Sequence, residues 1–148
     1  MSAPAQRVLY VAEPPAIWLQ RPPVVADCSV LAAIVFGETA CEEAAGLLGD
    51  KAVHAPSLLP YEMANVARSK QRAGLDAAAV DIALQDFGAQ RLVLHAVAPE
   101  AMLALAQRYG LSAYDAAYLS LATELQAPLA TFDRRLADAA RQHLGALD

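Results

Sequence analysis

The sequence predicts an α/β fold, a three-layer α/β/α sandwich around a short, mostly parallel central sheet. One supporting observation is that short apolar runs alternate along the chain with longer amphipathic segments of helical periodicity. The other is composition, because 148 residues that are 57% hydrophobic and 18% charged are typical of one globular domain. Strands and helices in alternation imply a parallel sheet that helices cover on both faces.

Residues 1–23 are predicted to be a proline-rich N-terminal extension, and residues 24–148 the folded domain. Five of the nine prolines lie in the extension. Proline fixes φ and removes a backbone donor, so a regular helix or a central strand is not expected there. Ile17 and Trp18 are the side chains through which the extension would pack on the domain or contact a partner.

The first predicted element of the domain is a strand over 24–27, a β-branched run that ends in an acid. A helix follows and stops at Gly37. The next helix spans 39–49 with Thr39 as its N-cap, and a short strand over 52–56 is stopped by proline.

The strongest helix prediction covers 57–74. Ser57 can cap this helix, Pro60 suits its first turn, and Gly74 ends it. The remaining predicted elements follow the same rules and are a helix over 76–88, a strand over 91–97, helices over 99–110 and 112–126, a strand over 128–131 and a helix over 133–144.

Four acidic residues are expected at one edge of the predicted sheet, where ligands bind beyond the carboxyl ends of the strands. Asp27 ends the first strand, and Asp133 follows the last strand. Asp115 lies in the first turn of the helix before that strand, and Glu62 lies on the helix after 52–56. Carboxylates that meet repel one another, so the cluster calls for a cation or a shared proton. Oxygen ligands favour Mg²⁺ or Mn²⁺ over zinc.

Each acid also has a purely structural explanation. Ser112 and Asp115 have the spacing of a capping box, and Asp133 and Asp27 can each serve as the N-cap of the helix that follows. Glu62 can be a solvated helix residue. Each of these explanations accounts for a single acid. If all of them were correct, the four acids would share one edge of the sheet only by accident.

Four segments resemble the PIN domain and, within it, the VapC-type toxins of bacterial toxin–antitoxin pairs. The segments are VVADCSVL (24–31), LLPYEMANV (58–66), LSAYDAAYLSLA (111–122) and LATFDRRL (129–136). The resemblance runs from about Val24 to about Leu144. The chain departs from the family at the proline-rich extension and at its C-terminus, which leaves little room for a final edge strand.

The resemblance implies a function and a set of site residues. Asp27, Glu62, Asp115 and Asp133 correspond to the family's metal-binding acids, which we call the acidic quartet. Ser29 and Thr131 match small hydroxyl positions, and Asn65 matches a polar position one turn after the glutamate. The implied activity is Mg²⁺- or Mn²⁺-dependent hydrolysis of RNA phosphodiester bonds.

The resemblance also implies partners. A cognate antitoxin is expected to place an amphipathic segment in a groove beside the site. The residues expected at that groove are Phe36, Leu47, Leu48, Tyr61 and Met63, although most of them can instead be ordinary core residues. A two-fold homodimer is expected as well.

Other functions fit the residues less well. A receiver domain needs a lysine after its last strand, and a haloacid-dehalogenase-like phosphatase needs a second aspartate two residues after Asp27; the chain has neither. The alternative that stays open is a PIN-like binding or scaffold module with a decayed site. A net charge of −5 argues against a large basic nucleic-acid surface, although bound metal ions can supply positive charge.

The remaining candidates have ordinary explanations. Arg68, Lys70 and Arg72 can bind RNA phosphates or simply end a solvated helix. His54 and His95 are expected to be core or strand-end residues. Cys28 is expected to pack rather than react, and two cysteines without metal-ligand spacing indicate a reducing cytoplasmic compartment.

Overall fold

The centre of the protein is a four-stranded parallel sheet, seen in a computed structural model that describes residues 9–15 and 21–147. The strands are β1 (Pro23–Ala26), β2 (Ala52–Pro56), β3 (Leu92–His95) and β4 (Leu129–Ala130), in the spatial order β3-β2-β1-β4. Val25 in β1 pairs with His54 on one side and with Leu129 on the other. Because β1 has a neighbour on both edges, Val24, Val25 and Ala26 are buried.

Seven helices cover this sheet within the described residues. They are α1 (Cys28–Val35), α2 (Cys41–Leu48), α3 (Leu59–Arg72), α4 (Ala77–Ala89), α5 (Pro99–Tyr109), α6 (Ala113–Leu125) and α7 (Arg134–Gly145). Helix α1 contacts α2, α3 and α4, whereas α6 contacts α5 and α7. The predicted order of elements and the three-layer α/β/α architecture are confirmed.

Helix α6 forms the middle of the core. Its residues from 116 to 122 are all buried, and it contacts β1, β2 and β4. The alanines Ala116, Ala117 and Ala122 let the helix approach the sheet closely, while Tyr118 and Leu119 fill the space around it. No helix in the described part of the chain is long and apolar enough to cross a membrane.

Two predicted caps are wrong. Helix α2 has Ala40 rather than Thr39 at its N-cap, and no side chain caps it. Helix α3 begins after Leu58 rather than after Ser57. The backbone N–H of Ser57 donates to the carbonyl of His95 at 2.8 Å, which keeps Ser57 beside β3 and delays the helix. Pro60 lies in the first turn as predicted, and Gly74 has a φ of 104° just beyond the end of the helix.

The last two strands are shorter than predicted. Strand β4 ends at Ala130, and the hydroxyl of the next residue, Thr131, bonds to the carboxylate of Asp27. Residues 9–15 carry no helix or strand and are exposed. Ile17 and Trp18 lie outside the described residues, and the domain boundary at residue 24 stays a prediction.

Candidate functional site

Asp27 is the most enclosed acid of the predicted quartet. It directly follows β1 and is 5% exposed. Its Oδ1 atom accepts a hydrogen bond from the N–H of Val30 at 3.3 Å, so it caps α1 as one alternative predicted. Two hydroxyls also donate to this carboxylate, Ser29 Oγ to Oδ1 and Thr131 Oγ1 to Oδ2, each at 2.5 Å. Asp27 is therefore both a helix cap and the acceptor at the centre of a hydrogen-bond cluster.

The same two hydroxyls join β1 to the loop after β4. The N–H of Phe132 donates to Ser29 Oγ at 3.0 Å, and the N–H of Asp133 donates to Thr131 Oγ1 at 2.9 Å. Each hydroxyl thus accepts from the loop and donates to Asp27. This arrangement fixes the backbone of Asp133 relative to Asp27, although the two residues are far apart in sequence.

Glu62 lies in the first turn of α3 and is half-buried. The hydroxyl of Tyr118 donates to its Oε1 atom at 2.7 Å. Burial and the charge of Glu62 raise the pKa of Tyr118 above its usual range, so the phenol stays protonated and donates. Sequence reasoning missed Tyr118. The available signal was its position three residues after Asp115, which puts both side chains on one face of α6.

Asp115 and Asp133 both lie at helix N-termini. Ser112, not Asp115, caps α6, since Ser112 Oγ accepts from the N–H of Asp115 at 3.1 Å. Asp133 caps α7 by accepting from the N–H of Leu136 at 2.9 Å. The capping alternative is therefore confirmed for Asp133, whereas Ser112 takes the capping role that was assigned to Asp115.

Three acids of the quartet, Asp27, Glu62 and Asp115, have raised pKa values. Burial raises the pKa of Glu62, and the charges of Asp115 and Asp27 raise it further, against the hydrogen bond from Tyr118. Burial also raises the pKa of Asp115, with added contributions from Asp133 and Asp27. The hydroxyl of Ser112 and the guanidinium of Arg135 oppose this. The pKa of Asp27 is raised by burial despite its hydrogen bonds.

Comparison with known proteins identifies the family. The PIN domain family model matches residues 24–142. The chain belongs to the PIN domain family. It is 32% identical over 121 residues to Ribonuclease VapC3 of Pyrobaculum aerophilum, a match that covers 78% of this chain and 92% of that relative. The resemblance to VapC-type PIN domains is confirmed.

Two solved structures share this PIN-domain fold. The crystal structure of PAE2754 from Pyrobaculum aerophilum has a TM-score of 0.63 and 22% identity, and the match covers 84% of this chain and 88% of that one. The Mycobacterium tuberculosis toxin VapC20, described as cleaving the sarcin-ricin loop, has a TM-score of 0.58 and 15% identity. That match covers 78% of this chain and 94% of the toxin.

The donor set of this PIN domain suits a hard cation. All four donors are carboxylates, and three of them have pKa values raised by burial or by one another, so a positive ion would relieve both costs. As the side chains stand, no three His, Cys, Asp or Glu residues within 9–15 and 21–147 are placed to hold one ion. An ion shared by three of the acids therefore requires some of their side chains to rotate.

The other predicted residues fall into two groups. Asn65 is exposed and lines a cleft of about 690 Å³ together with Glu62 and Ser29. His54 and His95 lie on β2 and β3 and hydrogen-bond to each other at 2.8 Å, which agrees with a strand role. Burial, Glu62 and Asp27 raise the pKa of Cys28 to about 12, so its thiol stays protonated at neutral pH, as expected for a packing residue.

The single groove that the sequence predicts for a partner is not present. Met63 and Leu48 are core residues with 1% and 8% exposure, and Phe36 packs against the core. Tyr61 is exposed and lines the cleft beside Glu62, whereas Leu47 lines a different cleft of about 510 Å³ between α2 and α7. The lysine of the predicted basic cluster, Lys70, pairs with Glu38 at 2.8 Å.

The raised pKa values predict a pH-dependent stability of the metal-free protein. A carboxyl group with a raised pKa holds its proton more tightly when folded, so its stabilising contribution is present below its ordinary pKa and is lost as pH rises through the raised value. The ordinary values are 3.8 for Asp and 4.5 for Glu. In chelator, the free energy of unfolding of the wild type should fall as pH rises from about 4. Asp115→Asn should flatten this fall, as measured by urea unfolding.

Asp138→Asn is the matched control, because Asp138 is exposed on α7 and pairs with Arg141 at 3.4 Å. Its unfolding free energy should follow the wild-type pH dependence. Identical pH curves for the wild type and Asp115→Asn would show that Asp115 does not interact with the other acids.

Proposed function

We propose that this protein is a divalent-metal-dependent endoribonuclease, the toxin of a toxin–antitoxin pair, that hydrolyses RNA phosphodiester bonds at the acidic quartet. The observation that carries the proposal is the electrostatic coupling of Glu62 and Asp115 with Asp27 at one edge of the sheet in a VapC-type PIN domain. The relative VapC3 is named a ribonuclease, and VapC20 is described as a toxin that cleaves RNA of the sarcin-ricin loop. Two unpaired cysteines are consistent with a cytoplasmic location.

Asp27, Glu62 and Asp115 are the proposed main ligands of Mg²⁺ or Mn²⁺, and Asp133 completes the set directly or through water. When bound, the ion lowers the pKa of a bound water and stabilises charge on the phosphate oxygens. The chain's own residues hold the carboxylates in place. Tyr118 orients Glu62, and Thr131 and Ser29 orient Asp27.

The hydrogen bonds of Asp27 indicate which of its oxygens faces the ion. Oδ1 accepts from both Ser29 Oγ and the N–H of Val30, which uses its two lone pairs. Oδ2 accepts only from Thr131 among the described residues and keeps a lone pair. We therefore assign Oδ2 as the ligand atom, with Asn65 at the edge of the same cleft as a polar contact for substrate.

Removal of one acid tests the site. Asp115→Ala leaves the Ser112 cap in place and relieves repulsion, so in chelator the variant should melt at or above the wild-type temperature. Mg²⁺ or Mn²⁺ should raise the wild-type melting temperature by binding the folded site. That rise should shrink sharply in Asp115→Ala and Asp27→Ala, and metal-dependent RNA cleavage should be lost.

Asp138→Ala is the control and should retain both the metal-induced rise and RNA cleavage, since Asp138 lies on the exposed side of α7. Equal metal-induced rises in the wild type and Asp115→Ala would remove Asp115 from the metal site. A wild type that binds RNA but never cleaves it with either ion would favour the alternative, a decayed PIN-like binding module.

A cognate antitoxin is proposed as the protein partner. The cleft between α2 and α7 is lined by apolar residues, including Leu47, Leu129 and Leu144, and reaches Phe132 and Thr131 beside the quartet. An amphipathic segment in this cleft could bring a basic side chain to the acids.

The wild type should co-purify with the product of the neighbouring reading frame, and Leu47→Asp should abolish the complex. Leu103→Asp, on exposed α5, should not. Retention of the complex by Leu47→Asp would exclude this cleft.

A homodimer is proposed from the apolar side chains that β3 and α4 leave exposed. Ile82, Val93 and Leu94 are 60%, 48% and 44% exposed. Burial of such side chains against a second copy is favourable, and two-fold symmetry is the common solution.

Light scattering should report a dimer that Val93→Lys dissociates. A wild-type monomer at high micromolar concentration would contradict this.

A further inference from the structure

Exposed aromatic residues stand immediately before three acids of the quartet. Phe132, before Asp133, lines the cleft between α2 and α7, whereas the other two line one cleft together. Tyr61 precedes Glu62 and is 77% exposed, and Tyr114 precedes Asp115 and is 63% exposed. By contrast, Tyr118 on the same helix as Tyr114 is 1% exposed. An aromatic ring of this size normally gains by burial, so two open rings beside one site indicate surfaces that a ligand covers.

Both tyrosines face one space. Each lies in the first turn of its helix, α3 for Tyr61 and α6 for Tyr114. The same cleft of about 690 Å³ is lined by both rings, by Glu62 and by Ser29, the hydroxyl that holds Asp27. Its volume is in the range of ligand-binding pockets. The rings therefore share a single cleft with Glu62 and with the hydroxyl that holds Asp27.

The charge of the protein restricts how this cleft can hold RNA. The chain has a net charge of −5, and the quartet adds repulsion where the phosphate must bind. The only lysine or arginine that lines the cleft within the described residues is Lys70, and Glu38 already neutralises it at 2.8 Å. Attraction of phosphate at the quartet therefore depends on bound metal ions, and the cleft itself must bind RNA through contacts that do not depend on phosphate charge. Stacking of bases on aromatic rings is such a contact.

We propose that Tyr61 and Tyr114 are stacking platforms for unpaired RNA bases next to the phosphate that is cleaved. The inference rests on the proposed ribonuclease function and adds how substrate is recognised. It restricts the substrate to single-stranded RNA or loops, because a base must leave its helix to stack on a side chain. Asn65 and Ser69, which line the same cleft, are placed to hydrogen-bond to base edges.

A base fits this cleft better than an antitoxin segment does. Polar side chains from three elements line it, Glu62 and Asn65 from α3 and Ser29 from α1 among them, alongside Tyr114 from α6. An apolar helix face would leave these groups without hydrogen-bond partners, whereas a base can satisfy them.

Binding of a short single-stranded RNA of mixed sequence tests the proposal directly. The measurement is made by fluorescence anisotropy on the full chain, in chelator to prevent metal-dependent cleavage and at raised salt to screen repulsion. Tyr61→Ala and Tyr114→Ala should each raise Kd about 5- to 150-fold, equivalent to about 1–3 kcal/mol. Tyr61→Phe and Tyr114→Phe should bind within about twofold of the wild type, because stacking needs the ring and not the hydroxyl.

Two controls separate stacking from other effects. Leu103→Ala removes an exposed apolar side chain from α5 and should leave Kd unchanged. A strand of equal length without bases should bind weakly, and equally, to the wild type and to both alanine variants. Ultraviolet cross-linking of RNA to the wild type should label peptides that contain Tyr61 and Tyr114.

The proposal is overturned if both alanine variants bind RNA as tightly as the wild type does. It also fails if the two variants lose as much affinity for the base-free strand as for RNA. It is also overturned if Tyr61→Ala and Tyr114→Ala lose the antitoxin but keep RNA, because the cleft would then be a protein-docking site.

Failure of the stacking proposal is distinct from failure of the proposed nuclease function. Ring-dependent RNA binding without cleavage would end the nuclease proposal alone, whereas cleavage with an unchanged KM in both alanine variants would end the stacking proposal alone.

Discussion

The buried carboxylate of Asp27 is the point on which the rest of the site depends. Two hydroxyls donate to it, and each also accepts a backbone N–H from the loop after β4. Strand β4 pairs with β1 over only two residues, so these bonds contribute much of what holds the two strand ends together. Because hydrogen bonds to a charged acceptor are stronger than neutral ones, loss of the carboxylate would loosen the loop as well as remove a proposed metal ligand.

The position of the acids also explains why the site opposes folding. Burial raises the pKa values of Asp27, Glu62 and Asp115, and repulsion from other acids raises those of Glu62 and Asp115 further, while the hydrogen bonds around them only partly compensate. Apolar packing on α6 and β1, where the core is most enclosed, stabilises the folded state and offsets this unfavourable contribution. The folded backbone already holds these like charges near one another, so binding of a shared cation requires rotation of some side chains rather than assembly of the site.

The parts of this structure that depend on local sequence were predictable, and those that depend on distant pairing were not. Short apolar strands, helices and the capping role of Asp133 follow from neighbouring residues, and the structure agrees. The hydrogen bond from Tyr118 to Glu62 joins residues 56 positions apart, so no local pattern reveals it. Ser57 failed as a cap because a carbonyl on β3 takes its N–H. Met63 has the residue type of a groove side chain, but tertiary packing buries it.

An acidic protein that acts on a polyanion needs a source of binding affinity that does not interfere with its acidic site. Nucleic-acid-binding proteins commonly obtain affinity from lysine and arginine, but a basic side chain among these carboxylates would pair with them and compete with an ion. Arg135 is a nearby arginine that is held apart from the carboxylates. It lowers the pKa of Asp115. Its guanidinium donates to the carbonyl of Gly110 at 2.5 Å, which keeps it outside the quartet. Aromatic rings carry no charge, so Tyr61 and Tyr114 can lie directly beside the acids without neutralising them. The same chemistry that excludes basic side chains from the site makes aromatic side chains the suitable neighbours for it.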